Sequence, residues 1–166
     1  MASILNVDKI RANGSTTDAL TIDSSGRIFK PQQIAFHAKK STTGNVTYSA
    51  LSTVSADMTS AETNVGGHYK TSGSDVGKFV APVAGLYRFD INLFNNSTTA
   101  KRVALIRSGD SVNFAGQCQR GQYNDFTQSG LTYLDAGEKV YIRNQYDSTV
   151  IFHGPNHSYW SGYFIG

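Results

Sequence analysis

From Tyr87 to Leu93 the chain alternates without a break: Tyr87, Phe89, Ile91 and Leu93 are apolar, and Arg88, Asp90 and Asn92 lie between them. A period of two is the mark of a strand that buries one face. The same reading gives about ten strand candidates, at Gln33 to Ala38, Val46 to Ala50, Gly67 to Thr71, Lys78 to Ala81, Leu86 to Asn95, Lys101 to Ser108, Val112 to Cys118, Asn124 to Leu134, Lys139 to Gln145 and Ser158 to Ile165. Ser, Thr, Asn and Gly fill the stretches between them. No 12-residue window carries a sustained i, i+3, i+4 apolar stripe, so helix is not expected. The pattern predicts an all-β fold, a jelly-roll sandwich of about ten antiparallel strands in two sheets. Val103, Leu105, Val140 and Ile142 are expected to point inward. Tyr159 to Ile165 and Val140 to Ile142 read as apolar on both faces. A second buried face implies a subunit interface.

The first 30 residues follow a different pattern. Ile4, Val7 and Ile10 are sparse apolar positions in a polar arm, and Ala19 to Phe29 then reads as strand, tight turn and strand. The Asp23-Ser24-Ser25-Gly26 centre suits a hairpin with Gly26 in the left-handed region. So short a hairpin must pack on the head, on copies of itself or on a larger partner. The domains expected are therefore an arm with hairpin over 1–30 and a sandwich over 31–166.

Length and composition agree, since 166 residues hold one core with a short appendage. The net charge of +3 is spread without a Lys/Arg block, which argues against nucleic acid. The two adjacent basic pairs, Lys39-Lys40 and Lys101-Arg102, read as solvated strand ends. A single cysteine, Cys118, leaves no intrachain disulfide, and it reads as a buried strand residue. The N-terminus has no uninterrupted apolar run, so neither a secretory signal nor membrane insertion is expected.

Catalytic chemistry is not apparent. The chain has no G-x-S-x-G elbow, Gly-rich phosphate loop or H-E-x-x-H motif, and Gly73 to Gly77 is more simply a turn. Of the four histidines, His37, His68, His153 and His157, the last two are four apart. Gly154 and Pro155 between them rule out a helical metal pair. No enzyme activity, cofactor or metal is expected. The loops Asn95 to Ala100, Gln119 to Asp125 and Gln145 to Ser158 mix Tyr, Asn, Gln, His and Trp, types that stack on sugars and make adaptable hydrogen bonds. Tyr123, Tyr146, His153 and His157 are the receptor-loop candidates. Trp160 reads as a packing residue.

The stretch NVGGHYKTSGSDVGKFVAPVAGLYRF, from Asn64 to Phe89, carries a family resemblance. Asn64-x4-Tyr69, then Phe79-x5-Gly85-x-Tyr87-x-Phe89, resembles the signature of the C1q globular head, related in fold to tumour necrosis factor. Ile34 to Ala38 is similar to that family's opening strand, Leu131 to Val140 to its strand, acidic-Gly turn and strand, and Tyr159 to Ile165, with Gly162 and Phe164, to its closing strand. The pattern departs at a longer Tyr69 to Phe79 gap and at Met58, where Phe is usual. The resemblance implies a compact homotrimer, with Phe36, Phe126, Tyr141 and Tyr163 as candidate interface aromatics. Some family heads hold calcium through loop oxygens, and Asp110, Asp125, Asp135 and Asp147 are placed for that, although solvated turns explain them more simply.

No Gly-X-Y stalk precedes the head. The arm resembles N-terminal arms of phage fibre proteins, especially those of marine phages, in which an "ILxVDKI" element precedes an "LTIDSSGRI" hairpin. That resemblance implies a virion protein assembled in the host cytoplasm, docked to other virion proteins through residues 1–30 and engaging a host-surface glycan or protein. A capsid decoration protein with little adhesive role and a polysaccharide-degrading tailspike are the alternatives.

Overall fold

The computed structural model describes residues 7–98, 101–108, 113–119, 124–145 and 148–166. The chain divides into two compact units, Met1–Gln33 and Ile34–Gly166.

The first unit is a three-stranded antiparallel sheet in the order β1 (Lys9–Ile10), β2 (Leu20–Ile22), β3 (Ile28–Phe29). The β2–β3 hairpin is the one the sequence predicts, and β1 adds a third strand. Its turn is built by Asp23: the N–H groups of Ser25 and Arg27 both donate to Oδ1 at 2.9 Å. Gly26 sits at φ 78°, where a side chain would be strained.

The second unit is a two-sheet sandwich. One sheet has seven strands in the path β5 (Val46–Tyr48), β13 (Val150–Phe152), β8 (Gly85–Asn95), β14 (Tyr159–Phe164), β4 (Ala35–Lys39), β6 (Ser60–Asn64), with β11 (Asn124–Leu134) also pairing β8. The other has four: β10 (Asn113–Gln119), β9 (Lys101–Arg107), β12 (Lys139–Asn144) and β7 (Phe79–Val80). Every pairing is antiparallel. Among the described residues, no helix is long and apolar enough to cross a membrane.

Alternation along β8 fixes the layers: Tyr87, Phe89, Ile91 and Leu93 are buried, and with Val103, Leu105, Val140 and Ile142 from the facing sheet they form the core. The densest part is aromatic. Phe36 stacks on Tyr69 at 4.7 Å and meets Trp160 edge-on at 4.6 Å. The Tyr69 hydroxyl donates to the Met58 carbonyl at 2.6 Å and accepts from Trp160 Nε1 at 3.3 Å, so the polar ends of both rings are satisfied inside the core.

Three expectations change. The Gly67 to Thr71 strand reduces to a single bridge, Tyr69 to Phe79, because the preceding 3-10 turn at Val65–Gly67 places Gly66 at φ 76°. Two strands, β6 and β13, form where none was expected, since Ser60–Asn64 is a polar edge strand and Val150–Phe152 has only three residues. The basic pairs are not simply solvated: Lys40 is fully buried and Lys101 nearly so. Lys40 Nζ reaches Asp57 Oδ2 at 3.1 Å and the Thr42 carbonyl at 2.8 Å. Asp57 also accepts from Tyr48 Oη at 3.1 Å and Thr42 Oγ1 at 2.6 Å. Burial, and then the Asp57 charge, push the Tyr48 phenol far above its ordinary value.

Candidate functional site

The alternation that buries one face of β8 leaves the other outside, and the registers of β11, β14 and β4 extend that outer face in rows. Tyr133 lies beside Leu86. Leu131, Arg88, Tyr163 and Ala35 form the next row, and Ser129, Asp90, Ser161 and His37 the one after. Thr127, Asn92, Tyr159 and Lys39 follow, and Asp125 and Phe94 close the face. The Leu86 end is apolar and uncovered: Leu131 and Tyr133 are each 57% exposed, Tyr163 40% and Ile165 49%. A cluster of large exposed apolar side chains on a flat sheet marks an interaction surface.

A polar network interrupts this face. Arg88 Nη2 donates to Asp90 Oδ1 at 3.0 Å, and Ser129 Oγ donates to the same oxygen at 2.5 Å. Burial would raise the Asp90 pKa, but the hydrogen bonds from Arg88 and Ser129 and the Arg88 charge outweigh it and hold the carboxyl below its usual value. Arg88, Ser129, Gly130 and Leu131 line a shallow depression beside this network.

The ends of the sandwich differ. The chain enters at Ile34, whose carbonyl accepts from the Phe164 N–H at 3.0 Å, and Gly166 accepts from the Leu86 N–H at 2.7 Å, so both termini of the unit lie at the Leu86 end. The loops after Asn95, before Asn124 and after Phe152 lie at the other end, because Asn124 and Phe152 both pair with Asn95. The start of β9 and the ends of β10 and β12 lie there too, since Lys101 pairs with Gln119 and Val103 with Asn144. The described residues that flank the three loops singled out from sequence are thus gathered at the end opposite the termini. Tyr123 and Tyr146 lie outside the described residues, as do Asp110 and Asp147.

His153 and His157 meet edge to face at 5.2 Å, and both rings pack on Phe94, at 6.1 and 5.3 Å. They form an aromatic cluster at the loop end of the outer face. His37 instead lies 3.6 Å from Glu62 on β6. Among the described residues, no group of three or more His, Cys, Asp or Glu side chains could hold a metal.

The four interface candidates do not form one surface. Phe36 is 3% exposed and Phe126 fully buried, so both belong to the protomer core and are unavailable to a partner. Tyr141 lies on β12 of the smaller sheet, with Lys78 Nζ 5.9 Å from its ring centroid. Only Tyr163 stands on the exposed apolar end of the larger sheet. Leu86 is out of phase with the buried Tyr87 and Phe89 on its own strand, a signal the sequence carries, whereas Leu131, Tyr133 and Ile165 join it only through the strand pairing and packing of the fold.

The family-motif residues have packing explanations. Gly85, at φ 153°, lies against the Phe164 ring, and Tyr87 Oη donates to the Val83 carbonyl at 2.8 Å. At Gly162 a Cβ would lie 2.5 Å from the Phe89 ring and 2.6 Å from that of Phe36.

Comparison with known proteins bears on the second unit. No curated protein matches the chain. Similar solved structures include murine APRIL at pH 5.0 (TM-score 0.59, 11% identity, covering 80% of this chain and 99% of that one). The globular domain of zebrafish complement 1qA is also similar (TM-score 0.57, 16% identity, 81% and 98%). So is Eiger TNF from S. frugiperda (TM-score 0.57, 14% identity, 81% and 94%). At these identities the likeness establishes the C1q/tumour-necrosis-factor jelly roll. The model of the C1q domain family matches residues 35–165, and the chain belongs to that family.

Proposed function

We propose that this chain is a non-enzymatic virion protein: a homotrimeric C1q-like head that presents its distal loops to a host surface and is anchored by its N-terminal arm. The observation that carries this reading is the polarity of the sandwich. The chain enters at the Leu86 end, and the loops rich in adaptable side chains open at the other. An apolar patch of Leu86, Leu131, Tyr133, Tyr163 and Ile165, uncovered in a single protomer, supplies the surface for trimer contacts, in keeping with the trimeric habit of the family. Three copies of a weak loop site would multiply into useful avidity.

The virion assignment, with assembly in the host cytoplasm, rests on the resemblance of the arm to phage fibre arms. It is tested by imaging particles with an antibody to the head and by competing purified protein against adsorption. Label at the tail with competition supports a fibre or knob that engages the host. Label on the shell without competition favours passive decoration, and absence from particles sinks the virion reading. Release of reducing sugar from host polysaccharide would overturn the non-enzymatic reading.

A further inference from the structure

The registers of the N-terminal sheet segregate its side chains. Ile10 stands opposite Leu20, and Ile22 opposite Ile28, so one face is aliphatic at all four positions. The other face carries Lys9, Thr21 and Phe29. Ile28 is 64% exposed and Ile10 48%, and no described residue from 7 to 33 is buried. A three-stranded sheet with an open aliphatic face lacks the packing that holds such a sheet together in water.

We propose that this face packs against the same face of the other two copies in the trimer, so that three N-terminal sheets close a second small core around the assembly axis. The inference rests on the trimeric reading of the head. Strand β3 ends at Phe29 and β4 begins at Ala35, a reach of at most about 22 Å. Ala35 pairs with Tyr163, on the face proposed to lie between protomers. The three arms therefore leave from one interface on short tethers, and such tethering gives effective concentrations in the millimolar range. Copies of the sheet are thus the apolar partner present in every assembled molecule. The face carrying Lys9 and Phe29 stays outside, free for the particle.

Hydrogen exchange on the full-length protein tests this, read at the β2 amides alongside mass by light scattering. In the wild type the Thr21 and Ile22 amides should be protected in a three-chain particle. Ile28→Asp should abolish that protection while the heads stay trimeric, and Thr21→Lys, on the outer face, should retain it. Protection that persists in Ile28→Asp, or in a monomeric Tyr163→Asp variant, would overturn the inference, as would trimeric wild-type heads with an unprotected β2. A monomeric wild-type mass would instead sink the head reading, and the inference with it.

Discussion

Asn64 and Tyr69 are joined by two reciprocal hydrogen bonds: Asn64 Nδ2 donates to the Tyr69 carbonyl at 2.8 Å, and the Tyr69 N–H donates to Asn64 Oδ1 at 3.0 Å. The bonds close the six-residue loop from Asn64 to Tyr69 through the Val65–Gly67 turn and deliver the Tyr69 ring onto Phe36. The Asn64-x4-Tyr69 spacing is thus a clamp. An amide suits the clamp because it carries a donor and an acceptor on two separate atoms of one short arm, one for the Tyr69 carbonyl and one for the Tyr69 N–H. Asn64→Ala should cost about 1–3 kcal/mol, read as a lower denaturant midpoint at unchanged m. Asn64→Asp keeps only the acceptor and should fall between.

Gly162 is explained by its neighbours, since an added Cβ would meet the Phe89 and Phe36 rings. Gly162→Ala should destabilise by about 1–3 kcal/mol through overpacking, and Gly162→Val by more. Thermal melting of the two variants side by side checks the order.

The buried Lys40–Asp57 pair makes a third prediction. Asp57→Ala leaves Lys40 Nζ without its carboxylate in a fully buried position and should cost about 3–5 kcal/mol. Lys40→Met with Asp57→Leu should be less damaging than the single change, since no unpaired charge remains. A double-mutant cycle in urea measures that coupling.

How far these contacts could be read from the sequence depended on range. The β8 alternation identified Tyr87, Phe89, Ile91 and Leu93 as core because period-two patterning is local. Lys40 reads as solvated from sequence because its partner Asp57 is 17 residues on, in a 3-10 turn that no pattern announces. Phe36 and Phe126, interface candidates by the family resemblance, lie in the protomer core, because apolar patterning reports burial without saying what does the burying. The outer-face patch is hidden in the sequence for a related reason: Leu131 and Tyr133 look ordinary until β11 is paired with β8.

Acid should loosen the outer face. The Asp90 carboxyl, held below its ordinary value of about 3.9 by Arg88 and Ser129, contributes stability that is complete above that ordinary value. It is lost as pH falls through the lowered folded value, so the window lies below about pH 4. Because the group is partly exposed, the effect should be modest. Denaturant midpoints measured from about pH 6 down to pH 2 should fall less steeply in Asp90→Asn than in the wild type.

The most direct measurement is the solution mass of the full-length protein by light scattering at micromolar concentration. The exposed Leu131, Tyr133 and Tyr163 on one end of the larger sheet predict a three-chain particle for the wild type. Leu131→Asp, which puts a charge into that contact without touching the core, should give a folded single chain. A wild type that runs as one chain, or a Leu131→Asp variant that still runs as three, would contradict the assignment of this face as the trimer interface.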